Sequence, residues 1–218
     1  MSKAPKVVGY KEISFWQEDG IGVVVILSDE EGMVTLNFFN EFLKVMTLAI
    51  TDDKVNALAI TGTDKNFLNG IKNLDLENTR DYLDLTSATV SFMTSIEKPI
   101  FTMVNGKATN VGVEFALLSD VIIARPDAEF IINDSFEPIM GYSLSATRYS
   151  FFKSGHAQEG FNCDVIMDSE KFLEESSSFI ISHTNSSLPL IRKNRFKNMR
   201  NAISLEREYF LMKSISKR

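Results

Sequence analysis

The stretch EKPIFTMVNGKATNVGVEFALLSDVIIARPDAEF, residues 97–130, decides the fold. Its beginning, KPIFTMVNG, is an apolar run with proline at its entry, where a missing N–H matters least, and this predicts a buried strand. A small turn then leads into an apolar segment around Glu114, which predicts a short buried helix. The residues DVIIARPDAEFIIN (120–133) predict a strand, a tight turn and another strand. Strand, helix and strand in this order indicate an α/β fold with a largely parallel sheet.

The same alternation continues on the N-terminal side of this stretch. Two β-rich runs, 7–16 and 21–28, are separated by a turn that contains Asp-Gly, and this predicts a hairpin. Apolar residues at helical spacing predict helices over 35–50 and 76–96. The apolar run 55–62 between these helices predicts a buried strand.

The character of the chain changes after about residue 143. Residues 63–75 are polar and predict an irregular loop within the α/β part, whereas the residues after 143 carry only helical patterns. We therefore expect an α/β core over residues 1–143 and a helical C-terminal region over residues 144–218.

Composition and charge restrict the class of protein. The chain has 218 residues and a formal charge of −6, and an acidic balance argues against nucleic acid as the main partner. The single cysteine, Cys163, cannot form an internal disulfide, which suits a reducing cytoplasm. No apolar signal core is found at the N-terminus, and the apolar run 21–27 is too short to span a bilayer. We expect a soluble cytoplasmic protein that does not bind membranes.

Two segments resemble the crotonase, or enoyl-CoA hydratase/isomerase, superfamily. Residues 97–130 match the family's K-P-x-x-x-x-x-N-G, small turn, helix and D-x-x-x-A-x-x-x-A-x-F pattern. Residues 57–76, ALAITGTDKNFLNGIKNLDL, resemble its strand followed by a Gly-containing loop. The resemblance implies a crotonase (ClpP/crotonase-like) ββα-spiral core, followed by a helical C-terminal region through which homotrimers or hexamers form.

The resemblance also implies an oxyanion hole for an acyl-CoA thioester. By position, the two backbone N–H donors belong to Ile71 and Val111, and one such donor is typically worth about 2.7–4 kcal/mol of barrier. Substrate-binding positions by the same resemblance are Leu68, Gly70 and Gly112, and we add Glu137 to this set. CoA then enters as part of the substrate, and the expected chemistry needs no metal or redox cofactor.

The acid/base residues implied by the resemblance are carboxylates. Glu114 occupies the position of one hydratase glutamate, and Asp134 aligns with the second. A different reading of Glu114 is a first-turn carboxylate that satisfies backbone N–H groups. Isomerase-type relatives often place their glutamate where this chain has Tyr142 or Ser143, and Glu137 is a substitute if the loop shifts.

Three departures from the family pattern keep alternatives open. The second donor turn contains Val111 where glycine is usual, Asp134 is one methylene shorter than glutamate, and residues 135–150 lack the family's G-x-x-P-x-x-G-G stretch. The leading function is an acyl-CoA enzyme of the enoyl-CoA hydratase/isomerase type. The alternative is a catalytically impaired homologue that binds acyl-CoA or partner subunits without turnover, and a thioester hydrolase or decarboxylase on the same scaffold is a further one.

Other chemistry-bearing residues have ordinary interpretations. The two histidines, His156 and His183, have no Ser/Asp or ligand-spaced companions, and no metal site is expected. The basic run IRKNRFKNMR (191–200) is interpreted as a solvated helix face, and its sharper reading is contact with CoA phosphates.

Overall fold

The structure is a computed structural model of the chain. It describes residues 8–63, 65–75, 77–141, 155–157, 163–167, 170–184 and 187–216. In chain order its strands are β1 (Val8–Gly9), β2 (Ile13–Glu18), β3 (Ile21–Ile26), β4 (Met33–Val34), β5 (Ala57–Thr61), β6 (Asn66–Leu68), β7 (Gly70–Ile71), β8 (Ile100–Val104), β9 (Lys107–Thr109), β10 (Val121–Ala124), β11 (Glu129–Ile131), β12 (Gly155–His156) and β13 (Val165–Ile166). Its helices are α1 (Asn37–Thr51), α2 (Thr79–Ser95), α3 (Val111–Leu117), α4 (Phe172–Ser182), α5 (Leu188–Arg195) and α6 (Met199–Ser216).

The described strands form a spiral of three sheets, of seven, four and two strands. Within the described residues, the large sheet has the order β1-β2-β3-β5-β8-β10-β13, antiparallel at its β1–β2–β3 edge and parallel from β3 onwards. A smaller sheet has the order β12-β11-β9-β6, and β4 pairs with β7. Each turn of the spiral places one strand in the large sheet, then a short strand beside it, then a helix. This is the predicted ββα spiral.

The predicted hairpin is confirmed. Glu18 pairs with Ile21, so the connection between β2 and β3 is the two residues Asp19 and Gly20, both with positive φ (48° and 81°). Positive φ at both central residues is the type I′ pattern, whose twist matches that of paired strands. The predicted strand 7–16 is instead two strands, β1 and β2, because the chain turns back at Tyr10, whose N–H donates to Ile13 O (2.8 Å).

Two cores lie on the two faces of the large sheet. Along β8, Ile100 and Val104 face the larger core, which also packs α1, α2 and α3, whereas Phe101 and Met103 face the smaller core beneath α4. Strand β8 is buried at all five positions, and so is β5. Burial on both faces is the reason that these strands are continuous apolar runs in the sequence.

The predicted helices over 35–50 and 76–96 are confirmed as α1 and α2, and the short buried helix near Glu114 is α3. The predicted loop over 63–75 differs from the structure, because it contains β6 and β7. These strands have only three and two residues, so no periodicity marks them in the sequence.

The C-terminal part is helical where α4, α5 and α6 are described, and it also returns two strands to the sheets. Strand β13 pairs with β10 in parallel, and β12 pairs with β11 antiparallel. Tyr142 and Ser143 lie outside the described residues. The division of the chain at residue 143 stays a prediction.

Helix α5 is held by a buried ion pair that the sequence did not indicate. The Arg192 side chain is fully buried and donates to Asp120 Oδ2, to Ile96 O and to Lys98 O. Burial lowers the pKa of Arg192 and the charge of Asp120 opposes that shift. The interpretation of residues 191–200 as a solvated face is therefore wrong for Arg192, whose guanidinium is committed inside the chain.

Two more cations of the same run have partners within the chain. Lys193 Nζ lies 2.9 Å from Glu97 Oε1, and Arg195 donates to Ser119 O (2.7 Å). The buried Arg192 is thus not available to CoA phosphates, and contact of the other cations of the run with CoA phosphates stays a prediction.

Candidate functional site

The first predicted donor, Ile71, lies on β7 at the edge of the core. Gly70 and Ile71 are partly buried, and Lys72 N–H donates to Val34 O (2.8 Å) across the β4–β7 ladder. Neighbouring residues of a strand direct their backbone groups to opposite sides, so a ladder bond at Lys72 turns the N–H of Ile71 away from β4. Helix α3 also contacts β7.

The second predicted donor, Val111, is the first residue of α3. Asn110 precedes it with φ +51°, donates its N–H to Ile131 O (2.8 Å), and accepts Asn133 N–H on Oδ1 (2.9 Å). The first N–H groups of a helix have no acceptor within the helix. Val111 is 3% exposed, and its branched side chain packs into the larger core.

A close backbone contact joins the two donor segments. A Cβ built on Gly112 would collide with the carbonyl oxygen of Leu68, so α3 starts directly against the end of β6. The same edge is tied by the Thr109 hydroxyl, which donates to Asn69 Oδ1 (3.2 Å). The structure therefore brings Leu68 directly against Gly112, and α3 also contacts β7, on which Gly70 and Ile71 lie. That these residues form one site stays a prediction.

Glu114 lies in the first turn of α3 and is almost completely buried, at 1% exposure. Its Oε1 accepts the N–H of Ile139 (3.1 Å) and the N–H of Met140 (2.9 Å). Tyr82 of α2 is a buried neighbour, and burial, followed by the negative charge of Glu114, raises the pKa of the Tyr82 hydroxyl. The carboxylate thus satisfies backbone N–H groups, though these belong to a loop 25 residues away and not to its own helix.

The other two predicted carboxylates, Asp134 and Glu137, are less buried than Glu114. Asp134 is exposed, in the turn that follows β11, where Phe136 N–H donates to Asn133 O (2.9 Å). The Glu137 side chain is 15% exposed, and its Oε1 lies 3.5 Å from Lys213 Nζ on α6. Glu137 is therefore engaged by the C-terminal helix.

Sequence reasoning missed two residues that shape this region. Glu206 of α6 is buried and accepts Gly141 N–H on Oε2 (2.7 Å), next to the two N–H groups that Glu114 accepts. Asn110 orders both the start of α3 and residue 133. Glu206 lies in an ordinary charged helical run, so nothing in the sequence indicates its burial. Asn110 could have been recognised, because Asn before a helix often marks a sharp turn with positive φ.

A cavity of about 640 Å³ lies on the opposite face of the large sheet, between the sheet and α4. Trp16, Val23 and Met103 form its floor, and Leu173 and Ile181 of α4 form its wall. Among the described residues, those predicted for the site do not line it.

The part of the chain that the structure describes contains no group of three or more His, Cys, Asp or Glu side chains arranged to hold a metal ion. His183 is stacked on Phe179 at 4.0 Å, and His156 lies in β12. None of the described helices combines the length and the hydrophobicity needed to span a bilayer.

Comparison with known proteins gives a family and a fold. The family model described as "Enoyl-CoA hydratase/isomerase" matches residues 18–141. A protein named "Probable enoyl-CoA hydratase, mitochondrial" from Dictyostelium discoideum is 32% identical over 136 residues, 59% of this chain and 49% of the relative. "Crotonyl-CoA hydratase" from Syntrophomonas wolfei is 30% identical over 131 residues, 56% of this chain and 50% of the relative. The chain thus spans about half the length of the curated relatives it matches.

The fold comparison extends over nearly the whole chain. A solved enoyl-CoA hydratase structure from Mycobacterium avium subsp. paratuberculosis K-10 superposes with a TM-score of 0.76 at 17% identity, covering 92% of this chain and 92% of that one. At this identity the similarity shows a shared fold.

Proposed function

The chain belongs to the enoyl-CoA hydratase/isomerase family and has the crotonase fold, and from this premise we propose that it processes acyl-CoA thioesters by the hydratase or isomerase type of reaction. The N–H groups of Ile71 and Val111 hold the thioester oxygen while it carries negative charge as an enolate. Donors already fixed in the folded protein stabilise this charge without reorganisation, which is the general basis of an oxyanion hole.

One observation carries the proposal: the backbone contact between Gly112 and Leu68. It sets the start of α3 against the end of β6, which is followed at once by β7 with Ile71, and the Thr109–Asn69 hydrogen bond joins the same segments. Both donors belong to segments fixed by strand pairing, since β6 pairs with β9 and β4 pairs with β7. Two converging N–H groups on a rigid frame are what polarisation of a thioester carbonyl requires.

Glu114 is the principal acid/base of the proposal. In hydration, its carboxylate accepts a proton from the water whose oxygen bonds to the β-carbon. The enolate α-carbon takes its proton from the partner carboxyl group, proposed to be Asp134, and the proton on Glu114 then returns to that partner through solvent, so that the net change is the addition of one water. In isomerisation, Glu114 removes a proton from one carbon and returns it to another. Such acid/base help typically contributes about 10²–10⁴-fold. Asp134 is its proposed partner in hydration, although its exposed place in the turn after β11 makes it the weaker assignment.

The proposed substrate brings CoA as part of its own structure, so the mechanism uses no further cofactor and no metal. Homotrimers or hexamers through the C-terminal region, and a cytoplasmic location, also remain proposals. An apolar stripe on α6 supports the proposed oligomer. Leu205, Tyr209 and Met212 are 68%, 46% and 62% exposed, and their spacing of four and three residues puts them on one helix face.

A second candidate function is an impaired homologue that binds acyl-CoA without turnover. The engagement of Glu114 Oε1 by two backbone N–H groups favours it, because a carboxylate with a purely anchoring role would be held in the same way. The exposed Asp134 favours it as well. A thioester hydrolase or decarboxylase has no comparable support.

The test is hydration of crotonyl-CoA by the wild-type chain and by Glu114→Gln. Glutamine keeps an oxygen that can accept the N–H groups of Ile139 and Met140, but it does not accept the proton. The proposal predicts turnover in the wild type and a loss of about 10²-fold or more in Glu114→Gln. Glu208→Gln, at an exposed position of α6, is the control and should be unchanged.

Absence of turnover with both crotonyl-CoA and a 3-enoyl-CoA, combined with calorimetric binding of acetyl-CoA, would replace the enzyme by the binding homologue. Turnover that survives in Glu114→Gln would remove Glu114 from the chemistry and leave it as an anchor.

A further inference from the structure

Three consecutive backbone N–H groups are held by two buried carboxylates from different helices. Ile139 and Met140 donate to Glu114 Oε1 of α3, and Gly141 donates to Glu206 Oε2 of α6 at 2.7 Å. Glu114 and Glu206 are 1% and 7% exposed. We call residues 137–141 the anchored loop. Hydrogen bonds to an ionised oxygen are roughly twice as strong as neutral ones, so this arrangement fixes the loop firmly.

Helix α6 holds the anchored loop at two further points. Glu137 at the start of the loop lies 3.5 Å from Lys213 Nζ. Gly141 at its end has φ +79°, and a Cβ built there would collide with the sulfur of Met199. The loop thus lies directly on the surface of α6, with glycine required at the closest point.

The two carboxylates are coupled through the backbone. The donors of Met140 and Gly141 belong to adjacent residues, whose Cα atoms are about 3.8 Å apart. A shift of Gly141 on α6 therefore moves the N–H of Met140, and with it the carboxylate that accepts this N–H. The side chain of Glu114 takes its position from the loop, and the loop takes its position from Glu206.

We propose that Glu206 is a positioning residue that sets the orientation of the Glu114 carboxylate through the anchored loop. The expected effect on turnover rests on the proposed function. The expected effect of Glu206 on the position of the anchored loop does not depend on that function. A displacement of a catalytic group by about 1 Å can reduce the rate about 100-fold. The thioester donors at Ile71 and Val111 lie on other segments, so substrate binding should be spared.

The experiment compares Glu206→Ala, Glu206→Gln and the exposed control Glu208→Ala in the full chain. Residue-resolved amide hydrogen exchange is measured at residues 139–141, and crotonyl-CoA hydration is measured on the same samples. In Glu206→Ala we expect exchange to accelerate about tenfold or more, at Ile139 and Met140 as well as at Gly141, because local opening frees the whole unit. We expect kcat to fall about 10–100-fold with KM nearly unchanged.

Glu206→Gln should restore most of the protection and of kcat, because its side-chain oxygen can still accept Gly141 N–H. If Glu206→Ala does not fold, Lys213→Gln replaces it, because loss of the contact with Glu137 loosens the other end of the loop. This variant should show the same faster exchange at residues 139–141 and the same fall in kcat, both to a smaller extent. Faster exchange confined to Gly141, or kcat equal to wild type together with unchanged exchange at Ile139 and Met140, would overturn the inference. If the wild type has no turnover, the proposed function fails, and the exchange pattern alone then decides the positioning role.

Discussion

Two buried carboxylates stand at the two ends of α3, and they are held differently. Asp120, just beyond the end of the helix, meets the guanidinium of the buried Arg192 and also accepts Ile100 N–H (2.8 Å). Glu114, in the first turn, accepts neutral N–H groups from the anchored loop. At Asp120 the negative charge is paired with the positive charge of a guanidinium. At Glu114 the carboxylate accepts hydrogen bonds from the backbone of the anchored loop.

The two arrangements predict different responses to substitution. A buried ion pair tolerates the loss of either partner poorly, because the remaining charge is left in an apolar environment. Backbone N–H groups fix the orientation of a carboxylate, and a glutamine in its place can still accept them, although more weakly. Changes at Asp120 and Arg192 should therefore affect stability first, and changes at Glu114 should affect activity first.

The largest expected stability effect comes from breaking the ion pair. Arg192→Met should lower the free energy of unfolding by about 3–5 kcal/mol, because Asp120 stays buried without its cation. Glu114→Gln should lower it by about 1 kcal/mol, as expected for hydrogen bonds that become neutral. Urea unfolding of both variants measures the contrast. Losses of equal size would contradict the distinction between the two carboxylates.

A second, smaller effect concerns the contact that joins the donor segments. Gly112→Ala should lower the free energy of unfolding by about 1–3 kcal/mol, because its Cβ overlaps the backbone of Leu68. It should also lower kcat/KM, since the two N–H donors are pushed apart. The matched control is Gly9→Ala, where a Cβ meets nothing within 4 Å. Wild-type kcat/KM in a folded Gly112→Ala would show that this contact does not build the site.

The third prediction uses Tyr82, the buried hydroxyl beside Glu114. Burial and the charge of Glu114 raise its pKa in the folded state, whereas the unfolded chain releases this proton near pH 10. Its contribution to stability is complete below about pH 10 and is lost above it, at about 1.4 kcal/mol for each pH unit. Urea unfolding at pH 9 to 11 should therefore show a shallower alkaline decline in Tyr82→Phe than in the wild type. Parallel declines would contradict the raised pKa.

The smallest effect is expected at Asp29, a surface carboxylate that combines both kinds of partner. Met33 N–H (2.8 Å), Lys72 Nζ (3.0 Å) and Glu31 N–H (3.1 Å) donate to it, and the first two of these are the main causes that lower its pKa. A lowered pKa stabilises the fold above the unfolded value of about 3.9, and this contribution is lost as the pH falls through the folded value.

Because Asp29 is largely exposed, Asp29→Asn should cost less than about 1 kcal/mol at pH 7, and the difference from wild type should shrink below about pH 4. Chemical denaturation at pH 7, 5 and 3 checks this. A difference that grows on acidification would have the wrong sign.

The fold was largely predictable because its main elements carry strong local patterns. Each pattern is sufficient to predict its own element: the Asp19-Gly20 turn for the hairpin, the apolar spacing for α1, and the continuous apolar runs for β5 and β8. The short strands β6 and β9 escaped prediction, since three residues show no period and their partners lie about 40 residues away. The two strands after residue 143 escaped for the same reason.

The site was predictable only in part. Ile71, Val111 and Glu114 were assigned by matching residues to the family pattern, and the structure places them on β7 and α3, while their roles stay predictions. The N–H groups of Ile139 and Met140 that Glu114 accepts could not be predicted, because backbone N–H groups leave no mark in the sequence. The burial of Arg192 was missed because a basic run resembles a solvated face, and Asp120 lies 72 residues away.

The most direct measurement is the rate of crotonyl-CoA hydration by wild type and Glu114→Gln, with the unfolding free energy of each sample determined alongside. The account predicts turnover in the wild type, a loss of about 10²-fold or more in the variant, and a stability change of about 1 kcal/mol. A folded Glu114→Gln with wild-type turnover would contradict it, because Glu114 would then serve the fold and not the reaction.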